Sequence, residues 1–275
     1  MITEKFNLNK KICIITGGAG FLGEKYAEAV IEASGIPVLI DINSKALSQV
    51  VCSLEKKYKK EIFGLKADIT NKKDLESAKK KILEKYNRID ILINNAATNP
   101  KIEDNQKQEN WTRFENFPEE VWLNDLAVGL KGSFLCSQVF GNYMAEKRGG
   151  VILNISSDLG IISPDQRIYR KEGIKEEEQI VKPVTYSVVK HGLIGLTKYL
   201  ATYWAEKNIR VNAICPGGVY NNQDEEFVKK LTNLIPMGRM ADKDEYKATV
   251  LFLISEASSY MTGSVLVIDG GRTCW

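Results

Sequence analysis

Seven short apolar runs, separated by segments of helical periodicity, constrain this sequence more than any other feature. The runs are Lys11–Thr16, Pro37–Asp41, Ile62–Ala67, Ile89–Asn94, Val151–Ser156, Arg210–Cys215 and Ser264–Ile268. The helical segments include Glu24–Ser34, Lys72–Tyr86, Pro118–Glu146, Thr185–Lys207 and Asp242–Leu253. Short strands alternating with helices predict βαβ units and a parallel sheet. Near-continuous apolar stretches such as KICIIT and IDILIN suit a sheet with helices on both faces. The 275 residues show no internal repeat, low-complexity tract or linker, and 44% are hydrophobic. One α/β domain spanning 1–275 is therefore expected.

Two stretches break the alternation, at 98–118 and 158–184. Long loops of this kind are usually functional. Both follow a predicted strand, so both should emerge at the carboxyl edge of the sheet, where open α/β sheets bind ligands. They carry Asn99, Arg113, Asp165, Gln166, Arg167, Tyr169 and Arg170. This is a polar lining, suited to a hydroxylated small molecule such as a sugar rather than a steroid or acyl chain. The other reading is a solvated flap without substrate contact.

A formal net charge of +3 argues against nucleic acid and anionic membranes as partners. No apolar run approaches a membrane span, and the N-terminus carries no secretory pattern, so a cytoplasmic location is expected. The five cysteines have no metal-type spacing and His191 is the single histidine, so no metal site is expected.

Residues 12–23 read ICIITGGAGFLG: a strand, a glycine turn, then a helix. Gly17, Gly20 and Gly23 permit a tight turn and close backbone approach to a pyrophosphate, and the helix N-terminus supplies free N–H groups. Asp41 closes the second strand, where an acid accepts hydrogen bonds from ribose hydroxyls and repels a 2′-phosphate. NAD is expected ahead of NADP. The competing role for Asp41 is capping the next helix.

Tyr186 and Lys190 are four apart on a strongly helical segment and so share a face. An ammonium about 4 Å from a phenolate, at an effective dielectric of about 20, contributes about 4 kcal/mol. That is enough to bring a tyrosine towards neutral pH. Ser156 and Ser157 end the strand VILNI. Tyrosine as acid/base, serine as polariser of a carbonyl or alkoxide, and lysine as ribose binder and tuner make a hydride-transfer set: Ser157, Tyr186 and Lys190.

These motifs resemble the short-chain dehydrogenase/reductase family over nearly the whole chain. The matching stretches are TGGAGFLG, KADIT, INNAA, NISS, YSVVK, VNAICPGG and GSVLVIDGG. The resemblance implies a Rossmann-like, doubly wound parallel sheet of about seven strands, and a homodimer or homotetramer. It implies that Phe21 and Leu22 join the three glycines in holding the cofactor. Asp68 and Ile69 would border the adenine, Asn95 and Ala96 would lie beside the cofactor, and Pro216, Gly217 and Val219 would border the nicotinamide. It selects Ser157 over Ser156. The SPDQRIY loop and the VGLKG segment are similar to oxidoreductases of bacterial surface-sugar and flagellin-glycan pathways.

The chain departs from the family pattern in four places. Phe21 stands where the penultimate glycine of the turn belongs. Gly129 occupies the position of the family's catalytic asparagine, which puts the usual proton relay in doubt unless another polar group or the Gly129 carbonyl serves. Ser157 and Tyr186 are 29 positions apart, longer than usual. No threonine follows Pro216-Gly217. The Gly17-x-x-Gly20-x-x-Gly23 spacing also suits a nucleotide-sugar epimerase or dehydratase using bound NAD, although no large C-terminal substrate domain follows. A non-catalytic dinucleotide sensor is the alternative of a different class.

Overall fold

The computed structural model describes residues 1–98, 111–147 and 149–275. The strands are β1 (Ile12–Thr16), β2 (Ile36–Asp41), β3 (Phe63–Lys66), β4 (Ile91–Asn94), β5 (Gly150–Ile155), β6 (Ile209–Pro216) and β7 (Val265–Ile268). They pair in parallel in the order β3-β2-β1-β4-β5-β6-β7. The order reverses between β1 and β4, which opens a crevice beyond their carboxyl ends. Each expected apolar run overlaps one strand, and the ends shift by no more than two residues.

The helices are α1 (Phe21–Glu32), α2 (Ser44–Tyr58), α3 (Lys72–Tyr86), α4 (Glu119–Leu126), α5 (Gly132–Cys136), α6 (Asn142–Glu146), α7 (Val184–Tyr203), α8 (Glu225–Thr232) and α9 (Lys247–Ile254). Strand residues alternate between two cores because successive side chains point to opposite faces. Ile12 and Ile14 join Leu75 and Ile82 of α3, Phe140, and Leu200 of α7. Cys13 and Ile15 join Tyr26 and Val30 of α1, Leu54 of α2 and Val250 of α9. Full burial of each such aliphatic side chain stabilises by about 1.5–3 kcal/mol.

Three helix boundaries correct the sequence reading. The first helix starts at Phe21, not Glu24, because Gly20 already serves as its N-cap. The helix expected from Asp242 starts at Lys247, because Glu245 accepts the Asp242 N–H and pairs with Arg239, holding residues 242–246 in turns. The single helix expected over 118–146 is helical from Glu119, but π turns at Ala127–Lys131 and Ser137–Gly141 separate α4, α5 and α6. The first π turn carries Gly129, which packs directly on α7: a Cβ there would lie 2.4 Å from Val189 Cγ1. Among the described residues no helix is long and apolar enough to cross a membrane.

A buried polar chain fastens α7 to the sheet. Asn94 Nδ2 donates to Asn154 Oδ1 at 2.8 Å across the β4–β5 pair. Asn154 Nδ2 donates to Thr197 Oγ1 at 2.9 Å, and Thr197 donates to the Leu193 carbonyl at 2.7 Å. Thr197→Val keeps the shape but strands the Asn154 amide, which costs about 1–3 kcal/mol. Urea denaturation should show a lower midpoint at unchanged slope; an unchanged midpoint would contradict this role.

Candidate active site

The glycine turn is built for close approach. Gly17 has φ +61°, and a Cβ on it would lie 2.8 Å from Ala96 Cα; a Cβ on Gly23 would lie 2.2 Å from the Gly17 carbonyl oxygen. The Gly17 and Thr16 carbonyls accept both bonds of Asn95 Nδ2, at 3.1 and 3.0 Å. Thr16 Oγ1 accepts the Asn95 and Ala96 N–H groups. Asn95 and Ala96 thus brace the turn across the crevice. Phe21, Leu22 and Gly23 open α1, where the first-turn N–H groups have no intrahelical acceptor. Phe21, at the missing glycine position, is 39% exposed.

Asp41 ends β2 beside this turn. Its Oδ2 accepts the Ala19 N–H at 3.1 Å and its Oδ1 accepts the Asn43 N–H at 2.9 Å. The cap of α2 is Asn43 instead, through Ala46. Each Asp41 oxygen keeps a lone pair for a ribose hydroxyl. Asp68 follows β3 and is folded into a turn with Thr70, and Ile69 lies in the core. Pro216 ends β6; the Gly217 N–H donates to Ile268, and Val219 bridges Ala241. All these residues stand at or just beyond the carboxyl ends of the strands. The glycine cradle, the free N–H groups and the acid beside them fit a dinucleotide.

Ser157, Tyr186 and Lys190 meet at the same edge. Lys190 Nζ donates to the Ile155 carbonyl at 2.9 Å, and Ser156 Oγ donates to the Lys190 carbonyl at 2.7 Å. Ser156 therefore holds the helix, and Ser157 lies against the Tyr186 hydroxyl. Ser157 Oγ donates to Asp158 Oδ1 at 2.7 Å, and Arg272 donates to Asp158 Oδ2 at 2.6 Å. Burial holds the Lys190 ammonium down to about 8.

The expectation that Lys190 brings Tyr186 towards neutrality is not met. Lys190 Nζ lies 5.6 Å from the Tyr186 ring centre, and burial pushes the phenol above its ordinary range. The Ser157 hydroxyl and Arg272 pull it down, and Asp158 pushes it up. A closer cation is Lys182, 4.0 Å from the ring centre. His191 is exposed, with its ring against the Ser187 carbonyl.

Tyr186 and Lys190 line a cavity of 520 Å³ with Asp125, Gly129, Tyr169 and Lys182. Of the polar residues expected to line it, Tyr169 and Arg170 do. Asn99 lies outside the described residues. Arg113, Asp165, Gln166 and Arg167 do not line it, because they are consumed locally. Arg113 pairs with Glu115 and the Glu176 carbonyl, Asp165 with Arg167, and Gln166 accepts the Lys182 N–H. The Gly129 carbonyl accepts the Ser133 hydroxyl. The polar group facing the cavity one turn earlier is Asp125, held by Thr98 at 2.6 Å and Thr185 at 2.5 Å. Asp125, Lys182, Asp158 and Arg272 were missed by the sequence reading; the SSD and DGGR strings, 114 positions apart, hold only separate halves of the ion pair.

Comparison with known proteins bears on the family. A family profile described as enoyl-(acyl carrier protein) reductase matches residues 18–273. The chain is 34% identical to an NAD-dependent glycerol dehydrogenase of Listeria innocua, covering 98% of this chain and 96% of that protein. It is 32% identical to the post-translational flagellin modification protein A of Campylobacter coli, covering 96% and 98%. A short-chain dehydrogenase from Leptospira borgpetersenii, solved with bound NAD+, superposes at TM-score 0.82 with 33% identity, covering 97% and 94%. The chain belongs to the short-chain dehydrogenase/reductase family of oxidoreductases.

Arg272→Met leaves Asp158 buried without its counter-charge, which costs about 3–5 kcal/mol. Denaturation should show that loss, and the double variant Arg272→Met/Asp158→Asn should regain part of it. A single variant as stable as the parent would show that the pair is not a clamp.

Proposed function

We propose that the chain is an NAD-dependent oxidoreductase that interconverts a secondary alcohol and a ketone on a polar, sugar-like small molecule. The observation that carries this reading is that Tyr186 and Lys190 line one cavity, with Ser157 against Tyr186, at the same carboxyl edge of the sheet as the glycine turn. The relatives support it: one is named as an NAD-dependent glycerol dehydrogenase, another for flagellin modification. Gly17, Gly20, Phe21, Leu22 and Gly23 hold the pyrophosphate, and Asp41 takes the adenosine ribose. Asp68, Ile69, Asn95 and Ala96 line the adenine half, and Pro216, Gly217 and Val219 the nicotinamide half. Bound NAD supplies the hydride acceptor, and its reduced form the donor.

The residues divide the remaining work. Tyr186 carries the proton to or from the substrate oxygen. Ser157 turns its hydroxyl from Asp158 to that oxygen, and Asp158, clamped by Arg272, sets its starting direction. Lys190 spends one proton on Ile155 and keeps two for the nicotinamide ribose. Tyr186→Phe should lower turnover by about 10²–10⁴-fold while leaving NADH affinity unchanged. Net turnover of added NAD also separates this reading from an epimerase or dehydratase, and a partner response that survives Tyr186→Phe would point to a sensor. Exposed Leu123, Phe134, Val188, Tyr199 and Tyr203 on α4, α5 and α7 support a homodimer or homotetramer. A cytoplasmic location completes the proposal.

Alcohol oxidation needs the Tyr186 phenolate, so its rate should climb with pH through the tyrosine's ionisation. Asp158 pushes that ionisation to higher pH and Arg272 pulls it to lower pH. Asp158→Asn should therefore move the climb to lower pH, and an unmoved profile would remove Asp158 from the site's electrostatics. NADH should bind several-fold more tightly than NADPH in fluorescence titration, with the preference lost in Asp41→Ala. Tighter NADPH binding would overturn the role given to Asp41.

A further inference from the structure

Lys182 sits two residues before the start of α7, in the wall of the cavity. Its backbone N–H donates to Gln166 Oε1 at 2.9 Å, which fixes the entry of the chain. Its ammonium stands over the Tyr186 ring, 4.0 Å from the centre. Among the described residues it has no carboxylate partner and no hydrogen-bond acceptor.

Of the other cations lining the cavity, Lys171 is exposed to solvent, and three are occupied. Arg170 pairs with Glu176 at 3.0 Å, Lys230 with Glu226 at 2.6 Å, and Lys190 donates to Ile155. The acids are occupied as well. Asp125 is held by two threonine hydroxyls, and Asp224 caps α8 through the Phe227 N–H. Asp158 is filled by Ser157 and Arg272. Burial lowers the Lys182 ammonium to about 8, Asp158 opposing and Arg272 adding to the effect. A cation removed from water without a counter-charge is costly, and a ligand that brings the charge relieves that cost.

We infer that Lys182 is the anchor for an anionic group, carboxylate or phosphate, on the substrate that Tyr186 acts upon. This rests on the proposed function and narrows it: the substrate is an acidic hydroxy or keto compound rather than a neutral polyol. The cation lies over the ring of the proton-transferring tyrosine. The anionic group therefore binds close to the reacting carbon and fixes which hydroxyl is presented.

The test uses the full chain loaded with NADH. Tartrate, glycerol 3-phosphate and neutral threitol are titrated calorimetrically into the parent, Lys182→Met and Lys182→Arg. At least one anion should bind the parent about tenfold or more tightly than Lys182→Met, with Lys182→Arg close to the parent and threitol indifferent to the change. A response to tartrate identifies a carboxylate, and a response to glycerol 3-phosphate a phosphate. Equal anion binding in the parent and Lys182→Met, no anion binding at all, or an equal loss for threitol would overturn the assignment. NADH is titrated first into each protein: a parent that does not bind it refutes the oxidoreductase reading itself. Parent and Lys182→Met that both bind NADH without a Lys182-dependent anion refute only the anchor.

Discussion

The seating of α7 on β5 is the constraint on which the site depends. Two short bonds cross in opposite directions: the Lys190 ammonium reaches the Ile155 carbonyl, and the Ser156 hydroxyl reaches the Lys190 carbonyl. Thr197, two turns further along the helix, is tied through Asn154 to the adjacent strand. Hydrogen bonds of this kind contribute about 1 kcal/mol each, but leaving a buried partner unpaired costs more. The helix therefore has one low-energy register on the sheet. In that register Tyr186 stands beside Ser157 and above the cavity.

The carboxyl edge gathers the rest because every strand of the sheet runs the same way. The turn after β1 presents glycine backbone, β2 ends in Asp41, β4 runs into Asn95, β5 into Ser157 and β6 into Pro216-Gly217. Asn95 shows how the parts are coupled. It spends its amide on two carbonyls of the glycine turn, so the end of one strand sets the shape of the loop on its neighbour. Gly129 is explained by the same closeness, since Val189 of α7 fills the space a side chain would need.

Much of this was legible in the sequence because its signals are local. Apolar runs of four to eight residues mark covered strands, a glycine cluster between strand and helix marks a turn, and tyrosine four before lysine marks one helix face. The unread parts depend on distance or on competition. Asp158 and Arg272 meet only when the C-terminal segment folds back beside β5. The two π turns leave no residue pattern that separates them from an ordinary helix. The polar loop at 158–184 looked like a lining, yet Asp165, Gln166 and Arg167 satisfy one another or the backbone. Lys182 of that loop instead stands over the Tyr186 ring in the cavity wall, which its sequence context does not distinguish from its neighbours.

The most direct measurement is a crystal structure of the protein grown with NAD+. The account places the pyrophosphate on the first turn of α1 at Gly20–Gly23, a ribose hydroxyl within hydrogen-bond distance of Asp41, and the nicotinamide ribose on Lys190. A dinucleotide bound away from the carboxyl ends of β1 and β4, or with Asp41 turned from the ribose, would contradict it.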